Sequence, residues 1–103
     1  MKILDKIQRV AIKHAKPKKI IIFGSFARGD FRENSDINLL IITKEKISFK
    51  KRMEIASKIS YEVEEFDVNP LIYTEEEVDT LKKAGHPLIL SILKEGKIVY
   101  EEV

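Results

Sequence analysis

The chain has 103 residues, enough for one compact domain with one hydrophobic core, and we expect residues 1–103 to form a single domain. Charged residues make up 35% of the sequence, yet they nearly balance to a formal net charge of +2, which is not typical of a dedicated nucleic-acid-binding protein. The absence of cysteine excludes disulfides and cysteine metal sites. No apolar run reaches the length of a membrane span and no signal-peptide pattern opens the chain, so we expect a soluble cytoplasmic protein with no membrane partner.

The first predicted elements are a helix and a strand. Apolar residues recur at helical spacing over residues 2–15, and Pro17 ends the pattern. His14 lies near the end of this helix, where a surface histidine is a simpler interpretation than a catalytic one. The β-branched run at residues 20–23 predicts a short buried strand.

A glycine-serine turn follows this strand. Gly24 allows the backbone to come close to a ligand, and Ser25 is a suitable N-cap for a short helix. Gly29 is expected to end that helix. The free N–H groups and positive dipole end of such a helix suit a phosphate group, so the turn is a candidate phosphate site.

A second strand is predicted over residues 37–43, after a polar loop at residues 31–34. Its nearly continuous apolar sequence is typical of a central strand covered on both faces. Because strand side chains alternate, Asp36 and Asn38 are expected on the same face. Their oxygen atoms suit a hard cation such as Mg²⁺.

The rest of the chain predicts a third helix after Ser48, with Arg52 and Lys58 exposed. The apolar residues assigned to its buried face are Phe49, Met53, Ala56, Ile59 and Val63.

A third strand is predicted at residues 66–73, and Pro70 makes it an edge or bulged strand because proline cannot donate to a ladder. Thr74 and Glu77 indicate a capped helix, Pro87 opens another, and Gly96 closes it. A short final strand is predicted at residues 97–100. The order α-β-α-β-α-β-α-α-β favours an α+β class, with a small mixed sheet and helices mainly on one face.

The motif residues support a family resemblance. Gly24-Ser25, then Ala27-Arg28-Gly29, then Ser35-Asp36 resemble, in kind and spacing, the minimal nucleotidyltransferase domains of the DNA polymerase β superfamily. That resemblance implies the two-layer nucleotidyltransferase fold. The sequence departs from the family at one position, because Asn38 stands where the second strand ordinarily carries a second aspartate.

The resemblance also implies roles for individual residues. Gly24 and Ser25 would hold the triphosphate of ATP or another nucleoside triphosphate, and Arg28 would neutralise phosphate or only brace the turn. Asp36 and Asn38 would bind Mg²⁺ together with a third carboxylate that activates the acceptor hydroxyl. We choose Asp67 for this third catalytic and metal-binding position, and Glu65 is the alternative.

Three functions remain open on the sequence. The first is a nucleotidyltransferase that moves AMP from ATP to a hydroxyl of a partner protein. By resemblance this partner is a small helical HEPN-type protein of a toxin–antitoxin pair, with residues 74–94 as the contact surface. The second is a nucleotide- or partner-binding module that lost turnover because Asn38 is uncharged. The third is a regulatory domain that senses nucleotide.

Overall fold

The computed structural model describes residues 2–30 and 36–102. The helices are α1 (Lys2–Ala15), α2 (Ser25–Arg28), α3 (Phe49–Glu62), α4 (Glu75–Lys83) and α5 (Pro87–Glu95), and the strands are β1 (Lys19–Phe23), β2 (Ile37–Thr43), β3 (Val68–Thr74) and β4 (Lys97–Glu101). This is the predicted order of elements. The predicted loop at residues 31–34 and Ser35 of the motif lie outside the described residues.

The strands form one mixed sheet in the order β3-β2-β1-β4. β1 is antiparallel to β2 and to β4, whereas β2 and β3 are parallel, with Ile37 opposite Val68 and Thr43 opposite Thr74. β3 is therefore an edge strand, as Pro70 predicted, because an edge position tolerates a residue without an N–H donor.

Both faces of β2 are buried, which confirms the prediction of a doubly covered central strand. Alternate residues Ile37, Leu39 and Ile41 face a core that α1 and α3 complete. Leu40 and Ile42 face a second core on the other side of the sheet. The apolar run at residues 39–42 is the expected signature of a strand with two covered faces.

Helices α4 and α5 close this second core with Val78, Ile89 and Ile92. The predicted α+β class is confirmed, and the structure adds a helical layer on each face where the sequence suggested helices mainly on one. The two 14-residue helices α1 and α3 lie on one face, and the two 9-residue helices α4 and α5 lie on the other. No helix of residues 2–30 and 36–102 has both the length and the apolar composition needed to cross a membrane.

The predicted buried face of α3 was wrong in part. Phe49 is 78% exposed and Met53 is 53% exposed, while Ile55 and Ile59 are buried. The sequence offers two apolar rows along this helix, and periodicity alone cannot decide which one faces the sheet. The buried row is the one that holds β-branched isoleucines against β2 and β3.

Arg52 was predicted to be exposed, and that prediction was also wrong. Its guanidinium donates to the Ile47 carbonyl at 3.0 Å, to the Ile72 carbonyl at 3.2 Å and to a Glu77 carboxylate oxygen at 2.7 Å. The bond to Arg52 lowers the pKa of the Glu77 carboxyl, and burial opposes that shift. We call this group the arginine junction: Ile47, Arg52, Ile72, Thr74 and Glu77.

The predicted capping box at the start of α4 is confirmed within this junction. The Thr74 hydroxyl accepts from the Glu77 N–H at 3.1 Å, and the Glu77 carboxylate accepts from the Thr74 N–H at 2.8 Å. Glu77 thus serves both the helix start and Arg52. Its bonds to Arg52 and Thr74 link α3, β3 and the start of α4 at the end of the sheet where Thr43 pairs with Thr74.

Gly96 sets the distance between α5 and the sheet. A Cβ atom at this position would lie 2.5 Å from Cγ2 of Ile21 and 2.6 Å from the Ile92 carbonyl oxygen. Only glycine permits so close an approach. Gly96 closes α5 as predicted, and β4 begins at the next residue.

Candidate functional site

The turn after β1 begins at Gly24, which has φ 85° and ψ −155° and is itself the N-cap of α2. The prediction that Ser25 caps this helix is therefore wrong, because Ser25 is the first helical residue. The backbone angles at Gly24 lie in a region that only glycine occupies without strain. Gly29 ends α2 with φ 82° in the left-handed region, as predicted.

Gly24 lies against the side chain of Asn38. β1 and β2 pair so that Phe23 is opposite Asn38, which brings the next residue of the turn beside it. A Cβ atom on Gly24 would lie 2.7 Å from Nδ2 of Asn38. The close approach that the sequence predicted for Gly24 is thus made toward a side chain of the neighbouring strand.

Asn38 also contacts β3. The parallel register places it opposite Asn69, and Asn69 Nδ2 donates to Asn38 Oδ1 at 3.4 Å. This distance is beyond the usual range for an N–H···O bond, so the Asn38 oxygen is only weakly engaged. Asn69 was not among the predicted site residues, although its position two residues after Asp67 indicates that the two side chains share a face.

Asp36 and Asp67 are both exposed and lie at the same end of the sheet. The Ile37 N–H donates to the Asp67 carbonyl at 2.8 Å, and the next residue pair in register is Ile37 and Val68. Strand alternation puts Asp36 and Asn38 on the same face. Gly24, Asp36, Asn38, Asp67 and Asn69 are called the glycine end below.

Glu65 lies elsewhere. Both of its carboxylate oxygens are 2.8 Å from the Lys6 ammonium of α1, and this bond lowers the pKa of the Glu65 carboxyl. α1 packs on the sheet face opposite to α4 and α5. The choice between Asp67 and Glu65 as the third carboxylate stays a prediction, and the geometry favours Asp67.

Arg28 is exposed at the end of α2. Its Nε atom is 3.5 Å from a carboxylate oxygen of Asp30, a weak surface ion pair. The Arg28 N–H donates to the Gly24 carbonyl and the Asp30 N–H to the Ser25 carbonyl, both at 3.2 Å. The turn is therefore braced by its backbone, and the Arg28 side chain is held only loosely.

The donor atoms at the glycine end suit a hard cation. Among residues 2–30 and 36–102, no three His, Cys, Asp or Glu side chains cluster so as to hold a metal ion. The glycine end offers two carboxylates, from Asp36 and Asp67, and two carboxamides, from Asn38 and Asn69. Carboxylate and amide oxygens are acceptable to Mg²⁺, so the set fits the ion with less negative charge than three carboxylates supply.

A comparison with protein families decides the ancestry. Residues 5–103 match the family model described as "Polymerase beta, Nucleotidyltransferase". This chain belongs to that family. The resemblance predicted from the Gly24-Ser25 turn and the Ser35-Asp36 pair is confirmed.

Relatives within the nucleotidyltransferase family are described as adenylyltransferases. The chain is 35% identical over 85 residues to the candidate protein adenylyltransferase MJ0604 of Methanocaldococcus jannaschii, covering 81% of this chain and 78% of the relative. The family model and the adenylyltransferase relatives together support nucleotidyl transfer as the chemistry of this family.

Two solved structures of toxin–antitoxin complexes share the nucleotidyltransferase fold. One is a toxin–antitoxin crystal structure with AMP-PNP, with a TM-score of 0.71 and 24% identity over 96% of this chain and 73% of that one. The other is a tri-AMPylated Shewanella oneidensis HEPN toxin in complex with an MNT antitoxin, with a TM-score of 0.65 and 17% identity over 97% and 71% of the two chains. At these identities the likeness shows the fold.

Proposed function

We propose that this chain transfers the AMP moiety of ATP to a hydroxyl group of a partner protein, with a metal site that Asn38 weakens. The observation that carries the proposal is the convergence at the glycine end. The turn at Gly24, which we propose binds phosphate, packs against Asn38, and Asn38 lies opposite Asn69, two residues after Asp67. A nucleotide site needs a phosphate-binding turn beside oxygen ligands, and this register supports the assignment.

Each residue has a role in this proposal. Backbone N–H groups of the Gly24-Ser25 turn bind the triphosphate, and the exposed Arg28 guanidinium neutralises a phosphate oxygen. Asp36, Asn38 and Asp67 would hold Mg²⁺, which supplies charge neutralisation on the phosphoryl oxygens when it is bound. Because ATP is the donor, the proposed place of action is the cytoplasm.

The transfer step forms one bond and breaks one. The acceptor hydroxyl oxygen attacks the α-phosphorus of ATP, and the bond from that phosphorus to the β-phosphate bridging oxygen breaks. Pyrophosphate leaves with the bond electrons, and the hydroxyl proton passes to the Asp67 carboxylate. The chain contributes mainly by positioning the phosphates and the hydroxyl, which is the larger part of catalysis in phosphoryl transfer.

A small helical protein of the HEPN type is the proposed partner, in a toxin–antitoxin pair. Neighbouring folds come from such complexes, and one of those toxins is AMPylated. The surface of α4 and α5 is the proposed contact, because α5 exposes Leu88, Leu90 and Leu93. Helices α4 and α5 pack on the sheet face that Asp36 and Asn38 share by strand alternation. A partner bound to these helices would therefore approach the nucleotide from the same side of the sheet.

A second function is favoured by one observation, the carboxamide at position 38. If two acids do not hold enough Mg²⁺ for turnover, the chain binds nucleotide or partner without transferring AMP. The Gly24 turn would still hold phosphate, because its N–H groups do not depend on position 38.

Two measurements separate these functions. The first is transfer of label from α-labelled ATP to the protein partner that copurifies from the native source, with Mg²⁺ and with chelator. We expect slow, Mg²⁺-dependent labelling by the natural sequence and none by Asp36→Asn. Asp5→Asn removes an equally exposed carboxylate on α1 and should leave labelling unchanged.

The second measurement is calorimetric titration with ATP and Mg²⁺. Binding without labelling of any copurified protein supports the binding module. Recovery of the chain alone, with no helical companion, counts against the partner assignment.

A further inference from the structure

α3 presents apolar side chains on two sides. Ile55 and Ile59 face the core, while Phe49, Met53 and Tyr61 face outward and are 78%, 53% and 81% exposed. With Ser57, these outward residues recur every fourth position and form one row along the helix. We call Phe49, Met53, Ser57 and Tyr61 the outer row of α3.

The outer row is unusual for this surface. Isolated exposed apolar residues are normal, but a contiguous row on one helix marks an interaction site. A shallow groove of about 600 Å³ follows the row, and Phe49 and Met53 line it with the charged residues beside them. The other exposed residues of α3 are all charged, namely Lys50, Lys51, Glu54 and Lys58.

The charges beside the row are arranged with alternating sign. Lys50, Glu54 and Lys58 form the next row of the helix, adjacent to the outer row. No ion pair is recorded for these three side chains within the described part of the chain, so they remain available to a charged partner surface.

We propose that the outer row of α3 is the interface of a two-fold symmetric dimer, in which α3 packs antiparallel against α3 of a second copy. In an antiparallel helix pair, the same flanking row of each helix lies side by side in reversed order. A two-fold axis between residues 55 and 56 therefore brings Glu54 close to Lys58 of the second copy, because these two residues lie 1.5 and 2.5 positions from the axis. By symmetry Lys58 meets Glu54 of that copy, so both charge pairs form together.

The apolar residues match in the same arrangement. Phe49 and Tyr61 lie 6.5 and 5.5 positions from the same axis, so each Phe49 lies opposite Tyr61 of the second copy. Met53 lies opposite Ser57, where a flexible thioether fills the space left by a small side chain. A parallel arrangement would instead bring this row against the opposite flank of the second helix, which carries Ala56 and Ser60, so Glu54 and Lys58 gain charge partners only in the antiparallel one.

The dimer leaves the glycine end accessible. α3 lies on the α1 side of the sheet, and the glycine end faces the α4 and α5 side. A 14-residue helix is about 21 Å long, so the pair buries less than a standard interface of about 1,600 Å². The dimer is thus weak, and it should be visible near 100 μM protein and dissociated near 1 μM, as expected at the low end of interface size.

Charge reversal tests the proposal directly, by sedimentation of the full chain across this concentration range. Glu54→Lys and Lys58→Glu should each weaken the dimer by about tenfold, because each puts like charges opposite each other. The variant that carries both Glu54→Lys and Lys58→Glu should dimerise to within about threefold of the natural sequence. A mixture of the two single variants should form a heterodimer more readily than either forms a homodimer, since lysines then face glutamates at both positions.

Two further variants address the apolar row. The double variant Phe49→Ser, Met53→Ser should abolish the dimer, whereas Ile98→Ser removes a residue 54% exposed on β4 and should leave it unchanged. A monomer at all concentrations overturns the proposal. The proposal is also overturned if the Phe49→Ser, Met53→Ser variant still dimerises. It is overturned as well if combining Glu54→Lys with Lys58→Glu does not restore the dimer.

Discussion

The two ends of the sheet hold their polar groups in opposite ways. At the arginine junction, Arg52 donates to Ile47, Ile72 and Glu77 at 2.7–3.2 Å, and Glu77 also closes the capping box with Thr74. At the glycine end, Asp36 and Asp67 are exposed, and Asn38 shares one 3.4 Å contact with Asn69. Polar groups that bond one another stabilise a fold, whereas exposed and weakly bonded groups in one place are available to a ligand.

The largest effect we expect is at Gly24. Gly24→Ala should lower the free energy of unfolding by about 3 kcal/mol, because its φ of 85° and ψ of −155° lie in a region that is essentially closed to residues with a Cβ atom. Chemical denaturation measures this loss.

Gly29→Ala is the matched control for that prediction. Gly29 also has a positive φ, of 82°, but a Cβ there meets nothing within 4 Å. Its cost should be near 1 kcal/mol, the backbone cost alone. Equal costs for the two variants would show that the backbone angles of Gly24 restrict the residue no more than the left-handed angles of Gly29 do.

Asp36→Ala should separate binding from stability. We expect Mg²⁺-dependent affinity for ATP to fall about 100-fold, at the upper end of the loss seen when a metal site loses a supporting group. The free energy of unfolding should change by less than about 0.5 kcal/mol, because the carboxylate is exposed and outside the core. Titration calorimetry and thermal unfolding of the same preparation test both halves, and a large loss of stability would mean that the glycine end is structural.

Glu77→Ala should give the opposite result. Loss of the capping carboxylate and of the Arg52 partner should reduce the free energy of unfolding by about 1–2 kcal/mol and leave ATP affinity unchanged. Glu77→Gln can keep the capping box through its amide oxygen and loses only the bond and charge that face Arg52, so its cost should be smaller. A Glu77→Ala variant as stable as the natural sequence would show that the junction is not a stabilising network.

The same carboxyl gives a pH dependence. Arg52 lowers the pKa of Glu77 below its ordinary value of 4.5, so the ionised carboxylate stabilises the folded chain above that pH. The contribution is lost as pH falls through the lowered pKa, when the native carboxyl takes up its proton. The midpoint temperature of thermal unfolding should therefore fall less steeply between pH 6 and about 2.5 for Glu77→Gln than for the natural sequence. If stability falls with pH equally steeply for both proteins, Arg52 does not stabilise the ionised Glu77 carboxylate.

Local sequence signals predicted most of the fold. Residues 37–43 were predicted as β2 with the bounds that the structure has, because an apolar run between polar loops leaves little choice. Ser48, Thr74 and Gly96 marked helix ends by chemistry that acts within a few residues.

Long-range contacts explain what the sequence did not predict. Ile55 and Arg52 face inward and Phe49 outward because of how α3 meets β3 and α4, and no local pattern encodes that choice. The N-cap is Gly24 and not Ser25, with backbone angles that glycine adopts readily, where the turn packs against Asn38 of the neighbouring strand. Asn69 entered the site through the parallel register of β2 and β3, which pairs residues far apart in the chain.

The central claim is that the glycine end is a nucleotide site short of one negative charge. The most direct test is Mg²⁺-dependent ATP binding and AMP transfer by the natural sequence, Asn38→Asp and Asp36→Ala, measured side by side. Asn38→Asp should raise Mg²⁺-dependent affinity about tenfold and increase transfer, since a third carboxylate offsets more of the cation charge. Asp36→Ala should remove the Mg²⁺-dependent part of binding. Identical behaviour of the three proteins would contradict the claim and leave only a family fold without a working metal site.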